Sequence, residues 1–136
     1  MAEKGLVISE SNQVKIDKLR LSRSKKTNAL IMSVDKNLDL VIQQELNDVD
    51  FDDIANELDN LPLYLLLTFE MINSDDRKSY PYCLVFYSPS VGPPESLFIH
   101  SRSLSQLTAA AKVGKSLELT DPEEFSLNWL TKKIGK

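Results

Sequence analysis

Residues 93–112 read PPESLFIHSRSLSQLTAAAK, a segment in which apolar side chains recur at spacings of three and four. This spacing predicts an amphipathic α-helix, and the proline pair suits its first turn because an N1 residue needs no amide hydrogen. One stripe should face a sheet; it comprises Leu97, His100, Leu104, Leu107 and Ala111. A second stripe lies well away from the first; it comprises Phe98, Arg102, Ser105, Ala109 and Lys112. Gly114 should end the helix as a C-cap residue.

Two apolar segments upstream of this helix predict neighbouring strands near the middle of a sheet. Residues 63–72 are rich in aliphatic and aromatic side chains, and residues 82–87 form a second apolar run that ends at Ser88-Pro89. Nearly continuous apolar runs of this length are typical of strands covered on both faces. The polar residues 73–78 between them should form a turn.

The first part of the chain predicts a helix, a hairpin and a second helix. Helical spacing of apolar residues covers about residues 11–24. Residues 29–34 suit a buried strand, and residues 38–43 alternate apolar and polar side chains, so the two should pair as a hairpin. Helical spacing returns at residues 51–58, where Asp50 is a suitable N-cap.

The last part of the chain predicts a short strand at residues 116–119 and a final helix. Asp121 and Pro122 suit an N-cap followed by a proline at the first helical position. One side of this helix carries Leu127, Leu130 and Ile134, and another side carries Phe125 and Trp129. We therefore predict an α/β (α+β) fold, with a central mixed sheet of four or five strands between helices on both faces.

Length and composition indicate one soluble domain over residues 1–136, with residues 1–8 as a flexible N-terminal arm. The chain has 136 residues, of which 42% are apolar and 26% charged, ordinary values for a globular protein. A net charge of −4 gives no basic footprint for nucleic acid. No apolar run approaches the ~20 residues needed to span a bilayer, and the single cysteine, Cys83, allows no internal disulfide. We expect a cytosolic monomer that binds neither nucleic acid nor membrane.

Patterns for catalysis or cofactor binding are missing from the sequence. His100, the only histidine, lies on the inward stripe without a cysteine or histidine cluster that could share a metal. The four glycines are too far apart to cradle a phosphate, and the adjacent carboxylates Asp75-Asp76 and Glu123-Glu124 should diverge. We expect no enzyme activity, no cofactor and no metal. A large polar pocket around His100 would revive the alternative of an enzyme.

Several segments together, by their order and spacing, resemble one family of actin-regulating proteins. They are Lys18-Leu19-Arg20, Asn28 to Asp35, Gln44-Glu45-Leu46, Asp75 to Pro81, Cys83 to Pro89, Glu124-Phe125, Trp129-Leu130 and Ile134-Gly135. Over nearly its whole length the chain resembles the actin-depolymerising factor homology (ADF-H) superfamily and, within it, is similar to glia maturation factor. The resemblance implies the ADF-H fold that is shared with cofilin.

The resemblance also implies a function. Glia maturation factors bind the actin-related protein 2/3 (Arp2/3) complex and not actin monomers, dissociate branched filaments and inhibit the nucleation of new branches. They are thought to use two surfaces, one facing the Arp2 subunit and one facing the first actin subunit of the daughter filament. The location this implies is the cytoplasm, at the cytoskeleton of cortical actin patches, with the nucleus as a further compartment.

Both surfaces can be carried over to this sequence by position. The first surface comprises Phe98, Arg102, Ser103, Asp121 and Glu123. The second surface comprises Asp75, Asp76, Arg77, Lys78, Lys132 and Lys133. Without the resemblance, the plainer interpretations are a solvated helix face, an ordinary polar turn, and lysines that interact with the helix dipole.

One difference from cofilin-type proteins bears on the function. Cofilin-type proteins carry basic residues at the start of the long helix, where this chain has Glu95 and Leu97. An acid there should repel an acidic partner that a lysine attracts, which disfavours severing by the cofilin route. Arg102 stands where the family usually has a small residue. The alternative of a cofilin-like protein that severs or depolymerises filaments stays open.

Overall fold

The structure, a computed structural model, describes residues 5–22, 26–114 and 116–135. Its helices are α1 (Glu10–Arg20), α2 (Phe51–Ala55), α3 (Pro94–Ala111) and α4 (Leu127–Gly135), with a 3-10 turn at Pro122–Glu124. Its strands are β1 (Thr27–Val34), β2 (Leu40–Val49), β3 (Leu63–Thr68), β4 (Met71–Ile72), β5 (Lys78–Ser79), β6 (Tyr82–Tyr87) and β7 (Ser116–Leu119).

Five of these strands form one mixed sheet in the order β2-β1-β3-β6-β7. The neighbours are antiparallel except β6 and β7, which run parallel and place Tyr87 beside Leu119 at their carboxyl ends. Parallel neighbours need a crossover connection, and α3 lies in that connection. The predicted mixed sheet with helices is confirmed.

Helices cover both faces of this sheet because successive strand residues point into two separate cores. The first core includes Leu65 and Leu67 of β3, Ile54 of α2 and Leu130 of α4. The second core includes Tyr64 and Leu66 of β3, Ile16 of α1 and Leu107 of α3. Since burial of a leucine side chain contributes about 2 kcal/mol, the apolar run of β3 stabilises both layers at once.

The first helix is shorter than predicted. Its N-cap is Ser9, whose hydroxyl accepts a hydrogen bond from the Asn12 amide at 3.2 Å. The helix ends at Arg20, so the predicted extension is wrong for Leu21 and Ser22. Leu21 is exposed, so no tertiary packing favours another turn there. Residues 23 and 24 of the predicted helix lie outside the described part of the chain.

The hairpin of β1 and β2 has the predicted turn but different strand limits. β1 begins at Thr27, two residues before the predicted start, and β2 begins at Leu40 and runs to Val49. Leu38 has a φ of 67°, a left-handed conformation that is incompatible with a strand, so the predicted start at residue 38 is wrong. Alternation of side chains alone did not reveal this kink.

The predicted strand over residues 63–72 is two strands. β3 ends at Thr68, and β4 leaves the main sheet to pair with β5 as a small separate hairpin. The predicted turn between them is confirmed, except that Lys78 belongs to β5. The helix predicted at residues 51–58 is confirmed as α2 with Asp50 as its N-cap, but it ends at Ala55.

The long helix begins where it was predicted and ends earlier. Pro93 is its N-cap, and both Leu107 and Ala111 of the predicted inward stripe are buried. Its C-cap is Lys112, with φ 57° and ψ 38°, so the prediction that Gly114 caps the helix is wrong. The left-handed conformation that ends helices is usually taken by glycine, but here a lysine adopts it.

The last helix begins later than predicted. The Asp121 side chain accepts a hydrogen bond from the Glu123 amide at 3.0 Å, but it caps the 3-10 turn and not α4. The first turn of α4 is instead capped by the Ser126 hydroxyl, which accepts from the Trp129 amide at 3.1 Å. Of the residues predicted to share one side of this helix, Leu130 is buried and Leu127 is 45% exposed.

The predicted N-terminal arm is held on the domain over the part that the structure describes. The Val7 amide donates to the Leu38 carbonyl at 2.8 Å, and the Leu40 amide donates to the Val7 carbonyl at 2.8 Å. Leu6 and Ile8 pack against the second core. A free arm is therefore wrong for residues 5–8, and residues 1–4 lie outside the described residues.

Candidate protein-binding surfaces

The outward stripe of α3 is exposed as predicted. Phe98 is 65% exposed, and the other four members of the stripe are also exposed: Arg102, Ser105, Ala109 and Lys112. An aromatic ring that projects from a helix above small side chains can enter a pocket on another protein. Of the features that the sequence predicted, this face of α3 is therefore the one best suited to bind another protein.

Ser103 does not belong to that face. It is 2% exposed and lies on the inward side of α3, beside the buried hydroxyl of Tyr64. Burial raises the pKa of the Tyr64 phenol, and the hydrogen bond with Ser103 opposes part of that rise. The prediction that Ser103 contacts a partner is wrong, because no protein can reach this hydroxyl without unpacking the helix.

His100 is a packed structural residue, as its position on the inward stripe predicted. Its Nε2 atom accepts a hydrogen bond from the Val34 amide at 3.0 Å, while Nδ1 lies 2.8 Å from the Ser96 carbonyl and donates to it. The ring is tilted against Tyr64, with centroids 5.3 Å apart. Burial lowers the pKa of His100, and the hydrogen bond to Ser96 opposes part of that shift. The imidazole is therefore neutral, and both of its nitrogens are engaged.

The turn that carries Asp121 and Glu123 lies beside the loop that leads into α3. The loop follows β6 and the turn follows β7, so both segments start at the carboxyl ends of two parallel strands. The Ser88 amide donates to the Leu119 carbonyl at 2.9 Å. A cavity of about 420 Å³ separates the two segments, and residues 58–60 form its third wall. We call it the loop cavity. The sheet topology thus brings the two predicted acids to the end of the domain where α3 begins.

The N-terminal segment also reaches α3, through a residue that sequence reasoning missed. The Leu6 amide donates to the Gln106 side-chain oxygen at 3.0 Å. Gln106 is polar and exposed, so nothing in the hydrophobic pattern distinguished it. The contact fixes the N-terminal segment next to the helix that carries Phe98.

The predicted second surface begins with the tip of the β4–β5 hairpin. The Asp76 amide donates to the Asn73 carbonyl at 2.9 Å, and Asp76 itself has a φ of 65°, a combination typical of a tight hairpin loop. Arg77 Nε lies 3.4 Å from Asp75 Oδ2, with both side chains mostly exposed. An exposed ion pair contributes little to stability, so these charges stay accessible to a partner.

Lys132 and Lys133 are exposed in the last turn of α4. The hairpin and α4 lie on the same side of the sheet, since Met71 of β4 and Ile134 of α4 both pack against the first core. By contrast, α3 packs against the second core. The two predicted surfaces therefore belong mainly to elements on opposite faces of the sheet.

Glu95, the acid that the resemblance contrasts with the basic residues of cofilin-type proteins, lies at the start of α3. Glu95 is exposed in the first turn of the helix, where the helix dipole stabilises a negative charge. Leu97 is partly buried. A partner that approaches Phe98 along the helix therefore meets a carboxylate one turn away.

Metal and membrane features can be assessed over the described residues. Within residues 5–22, 26–114 and 116–135, no group of three histidine, cysteine or acidic side chains could hold a metal ion. In the same part of the chain, every helix is too short or too polar to cross a bilayer. Cys83 is buried, and burial raises the pKa of its thiol to about 12, so the reactive thiolate is suppressed.

Comparison with known protein families agrees with this fold. Residues 5–135 match the family described as cofilin/tropomyosin-type actin-binding protein, and the chain belongs to that family. A solved cofilin from Streptomyces griseoflavus has a TM-score of 0.81 at 17% identity, covering 95% of this chain and 96% of that one. At that identity the similarity shows the shared fold alone.

Within the family, the chain belongs with the glia maturation factors. It is 32% identical to human glia maturation factor beta over 135 residues, covering 96% of this chain and 95% of that protein. It is 30% identical to glia maturation factor of Drosophila melanogaster over 128 residues, covering 91% and 93% of the two chains. The solution structure of glia maturation factor from Caenorhabditis elegans has a TM-score of 0.80 at 29% identity, covering 98% of this chain and all of that one.

Proposed function

We propose that this protein is an actin regulator that binds the Arp2/3 complex, dissociates branched filaments and inhibits the nucleation of new branches. The observation that supports it most is the exposed stripe of α3, with Phe98 65% exposed, in a chain of the glia maturation factor family. Aromatic and arginine side chains are the residue types enriched among the anchors of protein interfaces. We expect the protein at the actin cytoskeleton, including cortical actin patches.

The first surface acts as the anchor for the Arp2 subunit. Phe98 contributes apolar contact area, and Arg102 offers a planar guanidinium that can pair with a carboxylate. Ser105 and Ala109 are small, so a partner can approach the helix backbone closely. Asp121 and Glu123 add negative charge at the end of the domain where α3 begins.

The second surface faces the first actin subunit of the daughter filament. Its residues are Asp75, Asp76, Arg77 and Lys78 on the hairpin, with Lys132 and Lys133 on α4. They are exposed on elements that pack on the other face of the sheet from α3. A small domain with contacts on opposite sides suits insertion at a junction between two proteins.

Branch release then requires binding energy and no covalent chemistry. A ligand shifts an equilibrium only by its difference in affinity for the two states. If both surfaces are satisfied only when the daughter filament has separated from the complex, binding favours the separated state. This protein, when bound to Arp2 through its first surface, also hinders the assembly of a new branch.

A cofilin-like role in severing or depolymerising filaments is the second candidate, because the fold is shared with a solved cofilin. Glu95 opposes it, since a carboxylate at the start of α3 repels an acidic partner. Sedimentation with purified components separates the two functions. We expect retention on immobilised Arp2/3 complex and no measurable binding to actin monomers. Tight monomer binding without retention on Arp2/3 complex would favour the cofilin-like role.

A further inference from the structure

The loop cavity is a concave, negatively charged site to which the first carried-over surface contributes only Asp121. It lies between residues 58–60, 89–91 and 120–122 and has a volume of about 420 Å³. Asp59 and Asp121 line it from two different loops, and among its described lining residues none is a cation. The site can therefore hold a positive charge without competition from a side chain of its own.

One lining residue, Tyr87, is hydrogen-bonded to the 58–60 loop. Tyr87 is 1% exposed at the end of β6, and its hydroxyl donates to the Asp59 carbonyl at 2.5 Å. Burial, followed by the nearby carboxylates of Asp59 and Asp121, raises the pKa of the Tyr87 phenol. Both acids also line the cavity beside this residue. The hydrogen bond from Tyr87 fixes the 58–60 loop relative to the sheet.

The remaining walls combine the polar residues Asn60, Ser90 and Thr120 with apolar side chains. Pro89, Val91 and Pro122 line the cavity, and Val91 is 72% exposed. Leu61, which follows the 58–60 wall in sequence, is 56% exposed. A charged group that also has flat apolar faces suits such a site better than a compact, strongly hydrated ammonium.

We propose that the loop cavity receives an arginine side chain from the protein that docks on α3. The guanidinium would lie between the carboxylates of Asp59 and Asp121, and its faces and aliphatic stem would pack on Pro89, Val91 and Pro122. The position next to the start of α3 means that one partner could occupy the cavity and the Phe98 face together. This inference rests on the proposed function for the identity of the partner, but not for the chemistry of the cavity.

The chemistry can be tested without any partner. The probe is N-acetyl-arginine amide, with N-acetyl-citrulline amide as its uncharged isostere, titrated while the Val91 and Thr120 amide resonances are recorded. We expect saturable shifts with the arginine probe in the millimolar range, at least fivefold weaker binding of citrulline, and loss of binding in Asp59→Asn/Asp121→Asn. Asparagine is as good an N-cap as aspartate, so this variant keeps the cap of the 3-10 turn and a folding defect should not obscure the result.

Three outcomes would overturn the assignment. Equal shifts with citrulline, or shifts that persist in the double variant, would mean that the carboxylates recognise no cation. Tighter binding of N-acetyl-lysine amide would mean that a point charge and not a planar group is selected. All three outcomes would leave the proposed function untouched, because Arp2/3 complex takes no part in the titration.

The role in docking is tested with the intact protein and Arp2/3 complex. Asp59→Asn should weaken binding about fivefold and make binding less sensitive to salt, whereas Asp52→Asn, which changes an exposed carboxylate of α2 away from the cavity, should change neither. If wild type binds and Asp59→Asn binds equally well, the cavity is not part of the interface. If wild type fails to bind, the proposed function fails, and the probe titration still decides the chemistry of the cavity.

Discussion

His100 accepts a hydrogen bond from the Val34 amide at 3.0 Å, and this bond joins α3 to the end of β1 across the second core. The bond needs a neutral imidazole, because a protonated ring has no acceptor nitrogen. The helix that carries Phe98 is thus fixed to the sheet through the only histidine in the sequence. This relationship makes the position of the outward stripe dependent on the protonation state of one buried ring.

The pH dependence of folding should report this bond. Burial lowers the pKa of His100 in the folded state, so between the unfolded value of about 6.5 and the lower folded value the unfolded chain binds more protons. The free energy of unfolding should therefore fall as the pH drops below about 6.5. Urea titrations at several pH values measure it. His100→Gln, which does not titrate, should lose this component, and an identical pH dependence in both proteins would contradict the account.

Ser103 and Ser105 offer a matched test of the two faces of α3. Ser103 is buried, so Ser103→Arg places an unpaired charge in the second core and should cost about 3 kcal/mol or more. Ser105 is exposed, so Ser105→Arg should leave stability within about 0.5 kcal/mol and instead obstruct docking on the outward stripe.

Thermal melts and Arp2/3 binding distinguish these effects. We expect a lower melting temperature only for Ser103→Arg, and weaker binding of a folded protein only for Ser105→Arg. A stable Ser103→Arg protein would mean that the inward face is accessible after all.

The C-cap of α3 carries strain that can be relieved. Lys112 has a φ of 57°, a region that costs a residue with a Cβ atom roughly 1 kcal/mol and costs glycine little. Lys112→Gly should therefore stabilise the fold by about 1 kcal/mol in denaturant titrations. Lys112→Ala is the control, because it removes the same charge and keeps the strain. Equal stability of the two variants would show that the left-handed cap is not strained.

The sequence predicts those parts of the fold that periodicity determines. The inward and outward stripes of α3 follow from the helical repeat, and the apolar runs around Leu65 and Val85 follow from burial on both faces. The end of α3 does not follow, because a lysine in the left-handed conformation leaves no signal, whereas Gly114 gives a false one. Similarly, nothing in residues 63–72 marks the point where β4 leaves the main sheet.

Some residues of the candidate site could likewise be predicted from the sequence, and others could not. Ser103 lies three residues after His100 and four before Leu107, a spacing that already indicates an inward residue. Its assignment to the first surface followed the family resemblance and did not take this spacing into account. The loop cavity could not be predicted, because its three walls come from segments about 30 residues apart that meet only through the pairing of β3, β6 and β7. A hydrogen bond from a backbone amide to a polar side chain, such as that of Leu6 with Gln106, likewise cannot be predicted from a hydrophobic pattern.

The two surfaces should separate binding from branch release. Phe98→Ala/Arg102→Ala should lose Arp2/3 binding by tenfold or more, since aromatic and arginine anchors dominate interfaces. Arg77→Ala/Lys78→Ala should keep most of the affinity and lose branch release. Lys15→Ala/Lys18→Ala, which changes two exposed lysines of α1 outside both surfaces, should behave like wild type in both respects.

The lifetime of single Arp2/3 branches, followed by fluorescence microscopy at saturating protein, tests whether two separate faces act together at the junction. We predict that wild type shortens the lifetime, that Phe98→Ala/Arg102→Ala has no effect, and that Arg77→Ala/Lys78→Ala binds the junction but releases branches slowly. Branches that persist unchanged with wild type, or that dissociate equally fast with Phe98→Ala/Arg102→Ala, would contradict the account.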